Sequence, residues 1–326
     1  MATDAAAKGQ TQEASRPIDF VKKVGRGRTL SQDLSASEAR TAFAALLDGA
    51  FAPAQLGAFL QALRIKELTR EELDALAAVF RDRAPSLPPL AGGHTLVLNL
   101  ASDTARKGGM ASLLAAARLR RHGVSAGIVR SSPVLSGNRS SFDGTRALAR
   151  ALDPDLPVAA CDDLVPGLAA LGDLRGQLGF RSCLHTAEKL VNPWPASPLL
   201  LGISHKHYAL RMAGALQSLG LSGRILLGNH GTPDLVLHKE TEMVAAGPEG
   251  IREETVSPAD LGLALSSDVY TLARFKEWEA WLADPAGAGR ALEDVILYHE
   301  AVLLWAAGAV PDPAAGLALA RRAAGE

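Results

Sequence analysis

Cysteine is scarce: Cys161 and Cys183 are the only two, which is too few for a disulfide framework and fits no metal-ligand spacing. Two reduced thiols in a cytoplasmic protein are expected instead. Long apolar runs are also missing. None approaches the roughly 20 residues that cross a bilayer, so no membrane partner is expected. The first sixteen residues, Met1–Arg16, are small and polar. They lack the apolar centre and cleavage pattern of a signal peptide and predict a disordered tail. Aromatic residues make up only 5% while alanine and leucine dominate, so helices should outnumber strands. Nor is there a surplus of basic charge: Lys+Arg 34 against Asp+Glu 35 leaves a net −1. Binding to nucleic acid would therefore have to come from a local patch.

What is present divides into two patterns. From Leu34 to Arg83 the spacing predicts three short amphipathic helices. Ser35 with Glu38 and Thr69 with Glu72 form capping boxes, and Pro53 opens the middle helix at a position where a missing N–H costs nothing. Helices this short need one another, or a partner, to be stable, which points to a homodimer through this lobe. The stretch Ala84–Gly93 is rich in proline and glycine and reads as a linker. Beyond it, strand candidates Thr95–Leu100, Gly127–Arg130, Leu199–Ile203 and Ile225–Leu227 alternate with helices Met110–His122 and Lys206–Leu219. That alternation predicts an α/β fold with a mainly parallel sheet flanked by helices. The expected organisation is a disordered tail (1–16), a small helical lobe (17–84, completed by part of 173–196) and a larger α/β lobe (93–326).

Ligands on such sheets sit at the carboxyl ends of the strands. The loop after the first strand, Ala101–Gly109, carries Arg106 and Lys107 beside two glycines at a helix start, which suits an anion or a solvated turn equally well. The next strand ends at Arg130, and the loop Ser131–Ser141 sets hydroxyls and Arg139 before a helix, which suits phosphate or ordinary capping. In Gly179–Pro193, Arg181, His185 and Lys189 recur at i, i+4 and i+8, so on a helix they form one basic stripe, or else a solvated face. The strand-end segments Ser204–His207, with His205 and Lys206, and Asn229–Gly231, with His230, add histidines. No cysteine or carboxylate joins them at a recognisable spacing, and no metal site is assigned.

In this order these segments resemble the anthranilate phosphoribosyltransferase-like family, glycosyltransferase family 3. The resemblance runs from about Gly25 to the C-terminus. It is carried by Pro53–Lys66, Gly179–Pro193, Leu226–Gly231 and Pro258–Leu263. It implies a nucleoside phosphorylase/phosphoribosyltransferase-like fold, with 5-phosphoribosyl diphosphate bound between the lobes and dimers formed through the helical lobe. The family's catalytic motifs are altered here. Its Gly-Thr-Gly-Gly-Asp loop is replaced by Ala101-Ser-Asp-Thr-Ala, whose Cβ atoms crowd the diphosphate position. Its Lys-His-Gly-Asn-Arg is displaced, with Gly137-Asn-Arg139 several residues late. Its magnesium-holding Asp-Glu pair reads Asp234-Leu235. The chain looks more like the divergent branch that keeps the fold, loses these motifs and binds nucleic acid with little sequence preference. It shares with that branch Lys22–Arg28, Gly179–Pro193 and Ser204-His205, and it has few aromatics near the groove: Phe180, Trp194 and Tyr208. This implies an anion- or nucleic-acid-binding set of Arg106, Lys107, Arg130, Arg139, Arg181, His185, Lys189, His205 and Lys206, with no cofactor. Under the transferase alternative, Arg139, Arg181 and His230 contact the anionic substrate, and Asp103 and Asp234 sit near magnesium.

Overall fold

Four helices open the chain because each start is specified locally. The computed structural model describes residues 16–27, 29–101, 110–136, 139–228, 231–263 and 290–325 (for residues 110, 136, 139–145, 290 and 291 the backbone only). Helices α1 (Pro17–Val24) and α3 (Pro53–Lys66) begin on proline. Helices α2 (Ala36–Leu47) and α4 (Arg70–Arg83) begin at the two expected capping boxes. The Glu38 N–H donates to Ser35 Oγ while the Ser35 N–H donates to the Glu38 carboxylate, and Thr69 and Glu72 exchange the same pair. Glu72 is fully buried and also accepts from the Leu34 N–H and from Lys66 Nζ. One carboxylate thus ties the end of α3, the start of α4 and the chain entering α2. Helix α1 is an addition to the sequence reading, which treats Lys22–Arg28 only as a basic segment. It buries Phe20 and Val24.

The larger lobe is built on one seven-stranded sheet. Parallel strands β1 (His94–Asn99), β2 (Val124–Arg130), β3 (Val158–Ala160), β4 (Leu199–Gly202) and β5 (Gly223–Leu226) are followed by the antiparallel β6 (Thr241–Gly247) and β7 (Gly250–Val256). The order across the sheet is β3-β2-β1-β4-β5-β6-β7. The α/β, mainly parallel architecture read from the sequence is the one observed, with an antiparallel hairpin added at one margin. From β1 the chain builds outward through β2 and β3, then returns to β4 on the other side of β1. The crevice at the carboxyl ends of β1 and β4 is therefore the topological switch point, where such sheets receive ligands.

Alternation along the strands sends side chains to two cores. Leu96 and Leu98 face one cluster with α5 (Met110–Arg118) and the C-terminal helices α12 (Arg290–Ala306) and α13 (Pro313–Ala324). Val97, Val129, Leu199, Leu201 and Ile225 face the other, which runs on without a break into Phe43, Phe59, Leu63 and Phe80 of the helical lobe. The sheet, not the linker, separates the cores. Between the lobes, α11 (Lys206–Ser218) lies on α4. Gly214 admits the Arg70 guanidinium there, and a Cβ at 214 would sit 1.6 Å from Arg70 Nη1. Arg70 reaches Ser218 Oγ at 3.0 Å, and Ser218 Oγ donates to Asp74 at 2.7 Å. No helix among the described residues is long and apolar enough to cross a membrane.

Candidate functional site

The segment after the short helices α8 (Cys161–Leu164) and α9 (Leu174–Leu178) crosses the carboxyl end of the sheet and pins its loops. It forms a single helical turn, α10 (Leu184–Ala187), followed by a 3-10 turn over Glu188–Leu190. Arg181 precedes α10 and Lys189 follows it, so no continuous helix carries the expected basic stripe. Lys189 instead turns inward. Its ammonium donates to the carbonyls of Ala101, just after β1, Gly202 (2.8 Å), the last residue of β4, and Gly231 (2.9 Å), beyond β5. His185 Nε2 donates to the Leu135 carbonyl in α6 (Pro133–Ser136). The buried Glu188 carboxylate accepts from Ser131 Oγ at 2.9 Å and the Ser132 N–H at 3.1 Å, beyond β2. Asn99, the buried polar residue that ends β1, donates to the carbonyls of Glu188 (2.9 Å) and Val191 (3.2 Å). The loops are tightly drawn: a Cβ at Gly202 would meet Thr232 O at 1.9 Å. At the switch point, then, the protein has placed an ammonium of its own.

Beside this crosspiece an open cleft of about 670 Å³ separates the lobes. Its walls carry Arg64 from α3, Arg175 from α9, Arg181 from the crossing segment, and His205, His207, Tyr208 and Arg211 from the start of α11. The one carboxylate among the described lining residues is Glu67, 3.4 Å from Arg211 Nη1. Glu67 also holds φ 62 and ψ 151, a region nearly exclusive to glycine, so backbone strain is concentrated at the cleft's edge. Arg64 Nη1 donates to the Arg181 carbonyl at 2.5 Å, tying α3 to the crossing segment. Burial raises the Tyr208 hydroxyl above its ordinary range, with Glu67 adding to it. Burial likewise pushes the Cys183 thiol, at the cleft's floor, up to about 12.

The remaining predicted positions fall into three groups. Arg181 and His205 are exposed to the cleft. Arg130, at 4% exposure, is buried at the end of β2 and is not part of a surface groove. Lys206 is exposed but paired with Glu242 on β6. Trp194 is buried against Gly127, not in the cleft. Asp103, Arg106, Lys107 and His230 lie outside the described residues, as does Gly137-Asn138; Arg139 opens α7 (Arg139–Leu152), of which only the backbone is described there. Arg64, Glu67, Arg175, His207 and Arg211 are cleft residues that sequence reasoning did not select.

Asp234 decides how well a magnesium ion fits. At 1% exposure it accepts from the Ser112 N–H (3.1 Å) and Ser112 Oγ (2.7 Å), holding the first turn of α5. His299 lies 3.8 Å away and is neutral: its Nε2 accepts the Leu235 N–H while Nδ1 donates to the Val295 carbonyl. Burial keeps that imidazole below the usual histidine range. A carboxylate so committed does not fit a diphosphate-bound metal, and among the described residues no group of three or more histidine, cysteine or acidic side chains is placed to hold one.

Comparison with known proteins agrees with the two-lobe architecture. Residues 18–84 match the family model for the helical bundle domain of a glycosyl transferase family, and residues 160–325 match the model for its a/b domain. A protein named anthranilate phosphoribosyltransferase from Parasynechococcus marenigrum is 32% identical over 319 residues, covering 90% of this chain and 88% of its own. An uncharacterized protein of Aquifex aeolicus is 29% identical over 299 residues, covering 88% of this chain and 92% of its own. Among solved structures, anthranilate phosphoribosyltransferase from Thermus thermophilus superposes with a TM-score of 0.73 at 24% identity, covering 93% of this chain and 94% of that one.

Proposed function

This chain belongs to glycosyltransferase family 3, the anthranilate phosphoribosyltransferase-like proteins, and from that standing we propose that it is a catalytically degenerate member that binds nucleic acid with little sequence preference. The observation that carries the proposal is the cleft lining, with Arg64, Arg175, Arg181 and Arg211 set against a single carboxylate among the described lining residues, Glu67. Guanidinium groups neutralise phosphates and release their counterions without reading bases. Loss of catalysis is supported by Asp234, which is spent on Ser112, and by Lys189, whose ammonium lies in the switch-point crevice. Leaving-group charge must be neutralised for diphosphate departure, and neither residue is disposed to gather a metal for it. The setting we propose is cytoplasmic, consistent with two free, buried thiols. We further propose that copies pair through the helical lobe, where Leu30 and Ile65 are exposed; a monomeric mass by light scattering dismisses the pairing.

Titration of a labelled oligonucleotide at increasing salt tests the binding. Affinity should fall steeply, with a log–log slope of roughly 0.7–0.9 per phosphate contacted. Arg64→Glu with Arg181→Glu should weaken binding to all sequences alike and flatten that slope. A salt-independent affinity, or no binding at low salt, overturns the reading. The names of the relatives favour a second reading, a phosphoribosyltransferase of altered substrate using Arg139, Arg181 and His230, with magnesium near Asp103 and Asp234. Calorimetry with 5-phosphoribosyl diphosphate and magnesium separates the two: we expect no heat, and clear binding heat would put the enzyme first.

A further inference from the structure

Flat groups line both sides of the interlobe cleft. At the start of α11 the rings of His205, which precedes the helix, and His207 are stacked with centroids 5.8 Å apart, His207 lies 4.4 Å from Tyr208, and the Arg211 guanidinium lies 5.6 Å from the Tyr208 ring. On the other side, the Arg64 guanidinium lies 5.5 Å from the ring of Phe180. Contact with phosphates alone requires none of these planes, since point charges on a surface would serve. Aromatic and guanidinium planes in a basic cleft are the chemistry that receives bases by their faces. Those faces are hidden in a duplex and open in a single strand. A cleft of about 670 Å³ is the size of a site for a small flat ligand.

We infer that the cleft takes unpaired bases of single-stranded nucleic acid, held between the Phe180 side and the His207–Tyr208 side, with the surrounding arginines on the phosphates. The inference rests on the nucleic-acid reading above and narrows it to one strand state. Stacking is tolerant of base identity because every base has a π-face, so low sequence preference follows from the same geometry.

Fluorescence anisotropy at fixed moderate salt tests it with three ligands of equal length: a single strand, its duplex, and a strand of the same phosphates carrying abasic sites. The single strand should bind about tenfold or more tighter than either of the others. His207→Ala, at an exposed position, and Phe180→Ala should each weaken single-strand binding roughly five- to 150-fold, the loss expected for one base–aromatic stack. Neither should alter duplex binding, and Phe180→Trp should restore the strand. Circular dichroism of each variant confirms that the fold is kept, and matched DNA and RNA strands show whether the sugar matters. Equal affinity for all three ligands, or alanine variants that leave the single strand unaffected, overturns the inference while sparing the broader reading. No binding to any of the three overturns both.

Discussion

Lys189 shows how a residue can be conspicuous in sequence and still be misread. Its partners Ala101, Gly202 and Gly231 are 88, 13 and 42 residues away, and nothing in the local pattern announces them. An i, i+4, i+8 spacing identifies a stripe only if the helix is continuous, and here it is one turn followed by a tighter one. Replacing Lys189 with methionine leaves three inward carbonyls without their donor. We expect a loss of about 3 kcal/mol or more in urea unfolding, since each buried unmet group costs about 1–3 kcal/mol; an unchanged midpoint would show the brace to be dispensable. The cysteines permit a second prediction at this scale. Burial raises Cys183 to about 12, and burial with the Glu188 and Asp162 carboxylates raises Cys161 well above the ordinary range. Thiolate is the reactive form, so at pH 8 both thiols should be inert to an aromatic disulfide reagent in the native protein and reactive in denaturant. Rapid native labelling of either would contradict this. Arg64 and Arg211 escaped the sequence reading for the same reason as Lys189's partners: only the fold brings α3 and α11 to opposite sides of one cleft.

Elements were legible where they carry their own start signals. The Ser35/Glu38 and Thr69/Glu72 boxes and Pro53 mark helix beginnings that the structure reproduces to the residue, because caps are local chemistry. Central strands β1, β2, β4 and β5 were visible as short apolar runs, with ends shifted by a few residues. The margins were not. Strand β3 has three residues, and β7 reads Gly-Ile-Arg-Glu-Glu-Thr-Val, whose mostly exposed side chains give no apolar alternation. Glu72 shows that a cap can do more than begin a helix. It is fully buried and serves the Leu34 and Thr69 N–H groups and the Lys66 ammonium together. Glu72→Ala should destabilise the protein by roughly 3–5 kcal/mol, as for other buried pairs broken on one side. Exposed Glu71→Ala, one position away, should cost under about 0.5 kcal/mol. Similar midpoints for the two variants would mean that Glu72 is only a cap.

At the scale of the whole molecule, the proline-rich linker suggested two bodies, yet the cores divide at the sheet. The helical lobe and one sheet face share a single apolar cluster, in which Phe43, Phe59 and Phe80 belong with Val97, Leu199 and Ile225. A fragment from Gly93 onward would carry that face uncovered. We expect it to bind a hydrophobic dye and to lack a cooperative melt, whereas the full chain should unfold in one calorimetric transition. Two resolved transitions in the full chain, or a well-folded fragment, would show that the lobes are independent after all.

The antiparallel margin of the sheet bears on how copies of this chain behave when crowded together. Among the described residues no strand pairs with the outer edge of β7, and an open edge is a template on which like strands add. Along it stand Arg252 and Glu253, both exposed, with Glu254 half-buried beside them. A second molecule extending the sheet there would have to strip water from that row of charges on both sides. The hairpin is in this sense a terminus for sheet growth, a guard against polymerisation written into the same Arg-Glu-Glu run that hid the strand from view.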